Sequence, residues 1–568
     1  MAESYYDKLS AERKELQEND LLPAWFSTAG YQLFKDRYLW ANSPREQYET
    51  IAATLAAHTD DAPMWRDKFF ELLWLGWLSP STPVLANTGT TRGLPVSCSG
   101  GYVGDSIDSF YTVRRETALL TKHGFGTSAY LGDVRPRGAK ISAGGTASGI
   151  VPVVKGFVQD SRDVSQGGVR RGSWAAYLPV DHGDFDELVT LLEKEPDDLN
   201  VGWNISNDWL EELDKGNTEA RKRFGKMLKT KLVTGKGYFW FPDKANLKLP
   251  AYYPITNKAS NLCSEINLPS DAEHTYTCVL SSMNVAKYDE WKDTDAIFNA
   301  TVFLDCVASE FLTRARGIPG LENAVRFTEK ARALGLGVAG FHTYLQSRGI
   351  PLDSLDAVYF NDELFQKLSA ESLRASLWMG EQWGFPEWVK TYYDKGPIND
   401  MKLVRNASRI AIAPTKSTAL IMGGISEGIN PDPAMAFTQS TAGGEVNRVN
   451  PVFLELMKEK GVYDRKHIQQ VVDAFGSVQD VDWLTPEEKL VFRTAFEYDQ
   501  NVLVRLASQR GRYIDQWQSL NLFFSAEEDP KYIAQVHRDA FMDPNILGLY
   551  YIYSKSGVKG SRDCVACD

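Results

Sequence analysis

The sequence predicts an α/β fold built on a substantially parallel sheet, and a closed barrel is one form that such a sheet can take. The first reason is the order of elements, because short apolar strands alternate with longer amphipathic helices from Ser81 onward. The second is composition, since 43% hydrophobic residues, 12% aromatics and 15 Trp indicate a well-filled core. The third is that only about eighty residues, mostly of helical pattern, precede this alternation.

The charge balance restricts the kinds of partner that we expect. The 568 residues include 62 Lys or Arg and 74 Asp or Glu, which gives a net charge of −12. Nucleic acid and anionic membranes are therefore not expected as main partners, whereas small anionic ligands can still bind at local basic groups and helix N-termini. We expect neither an export signal nor a membrane span. Six cysteines are too few for a disulfide scaffold in so long a chain, which predicts a reducing, cytoplasmic compartment.

The N-terminal region is expected to be helical. Ala11–Asp20 is charged, Pro44–His58 alternates apolar and polar residues near a 3.6-residue period, and Met64–Leu78 continues that period. Pro80 and Pro83 then interrupt the helical pattern.

The α/β region follows without an internal repeat. The strand candidates are Thr127–Val134, Trp174–Val180, Val201–Ile205, Gly237–Phe241, Cys278–Val285, Ser408–Ala413 and Leu547–Tyr553. The helix candidates are Ser109–Lys122, Gly149–Ser165, Asp184–Lys194, Asp295–Arg314, Asp356–Gly384, Leu484–Ala507 and Pro530–Phe541. This order favours parallel strands joined by helical crossovers.

The last segment, Ser554–Asp568, has a different composition. It is polar and contains several Gly and Ser, which keeps a chain flexible, and it carries Cys564 and Cys567 near its end. Such a Cys-x-x-Cys pair exchanges two thiols for a disulfide, so the segment is interpreted as a mobile redox arm. A disordered terminus with incidental cysteines is the alternative. Half of a zinc site is a weaker one, because zinc usually takes four ligands and no second pair accompanies this one.

Three chemically distinct side chains occupy alternate positions of one short segment. Asn261, Cys263 and Glu265 supply a carboxamide, a thiol and a carboxylate. Alternate side chains of an extended chain point to the same side, so we expect all three to face one substrate. Asn-x-Cys-x-Glu alone is a weak signal, and the other cysteines strengthen it. Cys306 differs, because it lies in an apolar helical stretch where a buried and inert cysteine is expected.

Together these residues resemble those of the large catalytic subunit of class I ribonucleotide reductase. The matching segments run in order along most of the chain, and they are Ser81-Thr82-Pro83, Ser97-Cys98, Ser165–Arg170, Asn261–Glu265, Cys278, Pro414–Thr418, Tyr550-Tyr551 and the terminal cysteines. The resemblance implies a ten-stranded α/β barrel over residues 81–553, with the central cysteine on an inner finger loop. A small helical region over residues 1–80 would precede it, and a flexible redox-active tail over residues 554–568 would follow.

The resemblance also implies reduction of a ribonucleotide to a 2′-deoxyribonucleotide by radical chemistry. Cys263 would become a transient thiyl radical that takes the 3′ hydrogen and later returns it. Glu265 would be the general base toward the 3′-OH, and Asn261 would orient the sugar hydroxyls. Cys98 and Cys278 would supply a proton and both electrons and end as a disulfide, which requires Cα atoms within about 7 Å.

Substrate binding is assigned by the same resemblance to Thr82, Ser97, Gly124, Pro414, Thr415, Lys416, Ser417 and Thr418. The turn Pro414–Thr418 offers hydroxyls and free N–H groups to a diphosphate, although an ordinary capped helix start would have the same composition. Lys416 replaces the acidic residue that other family members carry, which adds positive charge and leaves diphosphate and triphosphate substrates both open. No metal ligands are expected in this chain.

The adjacent tyrosines Tyr550 and Tyr551 indicate the class. By propensity alone they belong to an aromatic-rich strand. In class I enzymes a tyrosine pair here relays oxidising equivalents from a metal-containing small (beta) subunit, which the resemblance implies as a partner, with a thioredoxin- or glutaredoxin-like reductant for the tail. An adenosylcobalamin-dependent reductase, which needs no relay, is the main alternative. A regulatory nucleotide-binding homologue would need none of the redox cysteines, and a glycyl-radical enzyme lacks a convincing sequence context.

Allosteric control is implied at the interface of an effector-induced homodimer that binds ATP, dATP, dTTP or dGTP. The matching positions are Asp105, Ser106, Arg135, Gln166 and Arg170. The last two lie in a Gly-rich loop, Ser165–Ser173, for which a plain surface loop is the alternative. The residues before Ser81 leave no room for the N-terminal ATP-cone of many relatives, so we expect no dATP shut-off through such a module.

Overall fold

The N-terminal part of the molecule is helical. The computed structural model describes residues 5–167, 169, 171–396, 401–441 and 444–554, with side chains described outside 439–447. The first helices are α1 (Tyr5–Glu18), α2 (Thr28–Leu33), α3 (Pro44–Ala56) and α4 (Ala62–Trp74), and a π-helical turn spans Phe34–Tyr38. The predicted helical region is therefore confirmed. Its last helix ends at Trp74 and not at Leu78, because Gly76 turns the chain with a φ of 67° and a strand begins.

The described residues contain thirteen strands. They are β1 (Leu78–Pro80), β2 (Cys98–Tyr102), β3 (Gly126–Tyr130), β4 (Trp174–Pro179), β5 (Asn200–Asn204), β6 (Tyr238–Trp240), β7 (Tyr276–Asn284), β8 (Leu334–Ala339), β9 (Ala436–Thr441), β10 (Gly444–Val449), β11 (Leu522–Phe524), β12 (Gly548–Leu549) and β13 (Ile552–Ser554). Nine of them form one curled mixed sheet with the form of a half-barrel.

The order of this sheet joins two sets of strands. Strands β2 to β6 are parallel neighbours, β7 runs antiparallel to β2, and β12 runs antiparallel to β6. Strand β8 extends the sheet in parallel beyond β7, and β1 pairs antiparallel with the C-terminal part of β7. Further pairing continues from Leu336 to Ile410 and from Ile412 to Gln518, both in parallel. Finally β11 pairs in parallel with β13, next to β12 in the sequence.

Helices connect and cover the strands. They are α5 (Thr82–Asn87), α6 (Ile107–Lys122), α7 (Val151–Asp163), α8 (Phe185–Lys194), α9 (Asn207–Asp214), α10 (Thr218–Thr234), α11 (Pro242–Lys248), α12 (Tyr288–Trp291), α13 (Ala296–Ala315), α14 (Glu322–Ala331), α15 (Phe341–Ser347), α16 (Leu355–Trp383), α17 (Glu387–Asp394), α18 (Lys416–Ile421), α19 (Pro451–Glu459), α20 (Arg465–Asp473), α21 (Pro486–Val491), α22 (Gln500–Gly511) and α23 (Pro530–Met542). Short 3₁₀ turns span Val285–Lys287 and Ala495–Glu497. The predicted α/β alternation is confirmed.

Helix α13 occupies the centre of the core. By length and composition this helix could cross a membrane, but 83% of its most apolar 18-residue stretch is buried inside the fold. Phe303 packs against Phe69 of α4 with ring centroids 5.3 Å apart, so the helix joins the N-terminal helices to the sheet. Cys306 is buried on this helix, and burial raises the pKa of its thiol. The predicted burial of this cysteine is therefore confirmed.

A buried ionic cluster fixes the segment after α17 beside β8. Asp305 of α13 accepts hydrogen bonds at 2.8 Å from Arg332 Nε, Arg405 Nε and Asn406 Nδ2. Burial opposes ionisation of this carboxyl, but the two guanidinium groups hold its pKa well below the usual range. Breaking such a buried network is costly, so the cluster holds residues 405–412 next to the sheet.

The prediction of one helix over Leu484–Ala507 is wrong. The segment contains α21, a 3₁₀ turn and α22, because three successive side chains start new helical turns. Thr485 and Thr494 each form a capping box with a Glu three residues later, and Asp499 accepts from Asn501 N–H. The spacing of apolar residues continues through all three helical segments, so the sequence pattern does not reveal where one segment ends and the next begins.

The buried carboxyl of Glu116 makes stability depend on pH. This residue of α6 accepts a hydrogen bond from Thr275 Oγ1 at 2.8 Å, which fixes the helix to the start of β7, while Oε1 lacks a hydrogen-bond partner. Burial raises its pKa from 4.5 to about 7. The folded protein therefore binds more protons than the unfolded chain between these values, and stability falls as pH rises from 4.5 to about 7.

We expect Glu116→Gln to remove this pH dependence and to stabilise the protein above pH 7 by about 2 to 4 kcal/mol. Urea denaturation midpoints measured from pH 5 to pH 8 would show it. Glu329→Gln is the matched control, because Glu329 is half-exposed and pairs with Arg316 at the surface. An unchanged midpoint at pH 8 in Glu116→Gln would contradict this account.

Candidate active site

The segment that carries Asn261, Cys263 and Glu265 forms a buried turn and not the expected extended strand. Ser264 has a φ of 63°, and its N–H donates to the Asn261 carbonyl at 3.3 Å. Tyr177 OH of β4 donates to the same carbonyl at 2.7 Å, so the turn is anchored on the sheet. The expected alternation of side chains is wrong here, because the turn and not a pleat orients the three groups.

The side chain of Asn261 organises this turn. Its Oδ1 accepts from the backbone N–H groups of Glu265 at 3.0 Å and Ile266 at 3.3 Å. These bonds fix the orientation of the carboxamide, so Nδ2 points to the sulfur of Cys98 at 3.5 Å. The side chain thus joins the turn to β2.

The sulfur of Cys263 contacts a tyrosine hydroxyl. Tyr550 OH lies 3.4 Å from Cys263 Sγ, and both residues are buried. Ser519 Oγ donates to the Cys263 carbonyl at 2.7 Å and lies 3.2 Å from Glu265 Oε2. Trp517 N–H donates to the Glu265 carbonyl at 2.9 Å, so residues 517–519 hold the turn from the side opposite to β4.

Cys98 and Cys278 face each other across two paired strands. They are direct register partners of β2 and β7, where Cα atoms of an antiparallel pair lie about 4.5 to 5.5 Å apart. This spacing suits a disulfide, and the two sulfurs are not joined by one here. Burial raises the pKa of Cys278, which therefore stays protonated. Gly335 of β8 makes room for it, because a Cβ there would lie 3.0 Å from Cys278 Sγ and would overlap Leu280.

A cluster of three tyrosine rings in tilted and edge-on contact leads away from Cys263. The ring centroids of Tyr550 and Tyr551 are 4.3 Å apart, and Tyr238 of β6 lies 4.8 Å and 5.4 Å from them. Tyr238 OH lies 3.2 Å from Tyr551 OH and donates to Asn200 Oδ1 at 3.1 Å. Lys231 of α10 donates from a fully buried ammonium to the carbonyls of Tyr550 and Gly237, and burial strongly lowers its pKa.

An open cleft of about 530 Å³ lies against the turn. Its lining combines the reactive groups with hydroxyls from five other parts of the chain, and it includes Cys98, Cys263, Glu265, Ser79, Ser81, Thr82, Ser97, Ser281, Ser282, Pro414, Thr415 and Thr418. The hydroxyls of Ser81 and Ser97 are buried there without a hydrogen-bond partner. Buried orphan hydroxyls facing a cleft indicate a polar ligand.

Three of the predicted substrate residues do not line the cleft in the described part of the chain, namely Lys416, Ser417 and Gly124. Lys416 and Ser417 begin α18, directly after Thr415. Thr415 has a φ of 60°, and its side chain does not cap the helix. Gly124 lies beside Gln166, since a Cβ there would meet Gln166 Oε1 at 2.6 Å. The glycine therefore accommodates the buried Gln166 side chain.

The predicted effector residues fall into two places. Arg135 Nε donates to Asp105 Oδ2 at 2.6 Å, and Ser106 accepts from Ser109 N–H to start α6. Gln166 instead donates from Nε2 to Asn87 Oδ1 at 2.6 Å and is buried. Arg170, Cys564 and Cys567 lie outside the described residues.

Sequence reasoning missed several side chains that shape this site. Tyr177, Tyr238 and Lys231 lie within ordinary strand and helix patterns, and nothing in the sequence marks them. The segment Gln516–Asn521 did carry a signal, because four polar residues there interrupt an apolar stretch and all are buried. Polar side chains are buried only where the fold supplies hydrogen-bond partners, so such a cluster indicates a specific structural or functional role.

Comparison with known proteins identifies a family over nearly the whole chain. The family model for the ribonucleotide reductase barrel domain matches residues 96–218 and 204–552. The family model for the ribonucleotide reductase all-alpha domain matches residues 24–93. The helical region and the α/β region described above therefore correspond to two known domains.

Individual relatives agree with this result. A frog virus 3 protein assigned as a ribonucleoside-diphosphate reductase large subunit is 32% identical and covers 91% of this chain and 95% of its own. A vitamin B12-dependent ribonucleoside-diphosphate reductase of Thermoplasma acidophilum is 30% identical and covers 81% of this chain and 62% of its own. The class Id ribonucleotide reductase alpha subunit of Actinobacillus ureae aligns with a TM-score of 0.84 and 34% identity over 95% of this chain and 99% of that one. The chain therefore belongs to the ribonucleotide reductase family, as a large, or alpha, subunit of an enzyme of deoxyribonucleotide synthesis.

Proposed function

We propose that this chain is the catalytic subunit of a class I ribonucleoside-diphosphate reductase, which reduces ribonucleoside diphosphates to 2′-deoxyribonucleotides through a thiyl radical on Cys263. The position of one sulfur carries the proposal. Cys263 lines the cleft and also lies 3.4 Å from the hydroxyl of the buried Tyr550. An oxidising equivalent can therefore reach the sulfur from the interior while the substrate occupies the cleft.

The residues of the turn divide the chemistry between them. The Cys263 radical takes the 3′ hydrogen of the ribose, which makes loss of the 2′-OH feasible, and returns this hydrogen at the end. Glu265 accepts the proton of the 3′-OH as general base. Asn261 Nδ2, beside the sulfur of the cleft-lining Cys98, is proposed to donate a hydrogen bond to a sugar hydroxyl.

Cys98 and Cys278 supply the reducing equivalents. Two S–H bonds break and one S–S bond forms, which provides two electrons and two protons. The 2′ carbon exchanges its hydroxyl for hydrogen, and one water leaves. Cys98 lines the cleft and is placed to protonate the departing hydroxyl, while Cys278 lies behind it in the sheet.

The phosphates are proposed to bind where the orphan hydroxyls face the cleft. Thr82 and Ser97 line one wall, and the turn Pro414–Thr418 lines another. Thr415 and Thr418 contribute hydroxyls, and Lys416 and Ser417 follow at the start of α18. Gly124 is proposed to act indirectly, through its contact with Gln166.

The cluster of Tyr238, Tyr550 and Tyr551 supports a separate radical source. We assign Tyr550 and Tyr551 as the relay from a radical-generating small (beta) subunit, whose metal supplies the oxidising equivalent. An adenosylcobalamin-dependent reductase remains the second candidate, because a vitamin B12-dependent relative matches 81% of the chain. The contacting tyrosine rings and the contact of Tyr550 with Cys263 favour the first candidate, since a cobalamin enzyme needs no such path.

The remaining assignments complete the proposal. We propose a ten-stranded barrel over residues 81–553 around the finger loop that carries Cys263, in which the segments bridged at residues 410–412 and 518 take part. Asp105, Ser106, Arg135, Gln166 and Arg170 serve effector control by ATP, dATP, dTTP or dGTP in a homodimer. Residues 554–568 form the redox-active tail, which a thioredoxin- or glutaredoxin-like protein reduces in the cytoplasm.

Cys263→Ala is expected to abolish reduction of CDP, because the cleft then lacks the sulfur that contacts Tyr550. Cys306→Ala is the matched control, since Cys306 is also buried but lies on α13 away from the cleft. Deoxycytidine diphosphate formed with a metal-loaded small subunit is the measurement. Turnover by the Cys263 variant at the rate of the Cys306 variant would refute the thiyl assignment.

Tyr550→Phe and Tyr551→Phe should each reduce turnover with the small subunit to background, because phenylalanine cannot exchange the hydroxyl hydrogen. Tyr252→Phe serves as the control, since the hydroxyl of Tyr252 donates to the Lys402 carbonyl and does not contact the tyrosine cluster. The same assay is run with adenosylcobalamin alone. Activity under that condition, unaffected by Tyr551→Phe, would select the cobalamin-dependent alternative.

Cys564→Ser should permit roughly one turnover per chain with thioredoxin and then stall, because the oxidised Cys98–Cys278 pair is no longer recharged. Deoxynucleotide formed per chain is counted over time. Dithiothreitol in place of thioredoxin should restore repeated turnover, because a small thiol can enter the cleft. Undiminished repeated turnover with thioredoxin would eliminate the redox-tail assignment.

A further inference from the structure

A buried glutamine contacts the inner sulfur of the reducing pair. Gln516 lies in the segment between α22 and β11, and its Nε2 is 3.4 Å from Cys278 Sγ. The residue is fully buried and does not line the cleft. The substrate mechanism above gives it no role.

The hydrogen bonds of Gln516 fix which end of its carboxamide faces the sulfur. Oε1 accepts from Asn267 N–H at 3.2 Å, and Nε2 donates to the Leu334 carbonyl at 2.8 Å. Exchanging the two ends would set a carbonyl against a carbonyl and an N–H against an N–H. The second hydrogen of Nε2 therefore points to Cys278 Sγ.

The other sulfur of the pair, that of Cys98, also faces a side-chain amide of fixed orientation. Cys98 Sγ faces Asn261 Nδ2 at 3.5 Å, and that carboxamide is fixed by two backbone N–H groups. Each sulfur thus faces a primary amide donor whose orientation is set by the backbone. One donor lies on the active-site turn, and the other precedes Trp517 and Ser519, which hold that turn.

We propose that Gln516 is a further catalytic residue: its Nε2–H stabilises the negative charge that develops on Cys278 as this thiol loses its proton and forms the bond to Cys98. The inference rests on the proposed function of the cysteine pair. In this step the Cys278 S–H bond breaks and the S–S bond forms; of the two thiol hydrogens of the pair, one leaves in the released water and the other ends on the 2′ carbon. Both thiols are oxidised, and the ribose 2′ carbon is reduced with release of water.

The environment of Cys278 makes such a donor necessary. Burial raises the pKa of its thiol, and the nearby carboxylates of Glu265 and Asp515 raise it further, while the hydrogen bond from Gln516 opposes this effect. Arg409 N–H and side chain bind Asp515 and partly offset its charge. A buried thiolate without a donor carries a large desolvation penalty.

The test isolates the two sulfurs in the full chain. Cys263→Ser, Cys306→Ala, Cys564→Ser and Cys567→Ser leave Cys98 and Cys278 of the six cysteines. The probe is 2,2′-dithiodipyridine, which reacts first with the cleft-lining Cys98 and releases one pyridine-2-thione. Cys278 then attacks this mixed disulfide, forms the Cys98–Cys278 bond and releases the second. Absorbance resolves the two phases.

Gln516→Met should slow the second phase about threefold to tenfold for each unit by which the Cys278 pKa rises, with the first phase unchanged. Gln518→Met is the matched control, because Gln518 is equally buried but bonds to Arg510 and the Ala507 carbonyl. In the otherwise native holoenzyme, Gln516→Met should lower kcat for CDP and leave KM unchanged.

Gln516→Glu provides a second variant if the methionine protein does not fold. It keeps an acceptor for Asn267 N–H and replaces the donor with a carboxylate, so the second phase should slow at least as much. An unchanged second phase in a folded Gln516 variant, or equal slowing in Gln518→Met, would overturn the proposal. Absence of any second phase in the parent would instead refute the cysteine pair itself.

Discussion

The active site depends on the hydrogen bonds that one carboxamide oxygen accepts. Asn261 Oδ1 binds the N–H groups of Glu265 and Ile266, and this closes a turn in which Ser264 adopts a left-handed conformation. Such a conformation is unfavourable for a serine and persists only where the surroundings determine it. The turn brings a thiol and a carboxylate to one cleft while the thiol still reaches Tyr550. An extended strand would have separated these contacts.

The rest of the fold holds this turn from two sides. Strands before it in the sequence contribute Tyr177 and Cys98, and segments after it contribute Ser519 and Tyr550. Buried lysines also join the two parts of the chain. Lys244 donates to the Phe541 and Asp543 carbonyls at the end of α23, and Lys248 donates to the Gly511 carbonyl at the end of α22, where cations are favoured. Burial lowers the pKa of both lysines to about 8. Each can therefore donate hydrogen bonds without the full free-energy cost of burying a permanent positive charge.

The sequence revealed the chemistry of the site better than its geometry. The cysteines, Asn261 and Glu265 were identifiable because their side chains have few other uses in such a pattern. Strands β2 and β8 were missed, since Gly100 and Gly335 dilute the apolar signal that marks a strand. Those glycines are there because neighbouring side chains, Tyr276 and Leu280, occupy the space of a Cβ. The turn at Ser264 and the partners of Cys278 arise from contacts distant in sequence, which a local period cannot encode.

The glycine at position 335 also bears on movement within the catalytic cycle. Under the proposed function Cys98 and Cys278 form a disulfide, whose two sulfur atoms lie about 2 Å apart, so Cys278 Sγ would shift when the pair is oxidised and shift back when it is reduced. A protein interior is normally packed too densely for such repeated displacement. Gly335 of β8 presents only hydrogen beside this sulfur, whereas a larger residue would press on Cys278 Sγ and on Leu280. No side chain at this point of β8 therefore fixes the position of the sulfur, and the sheet around it can keep its register in either redox state.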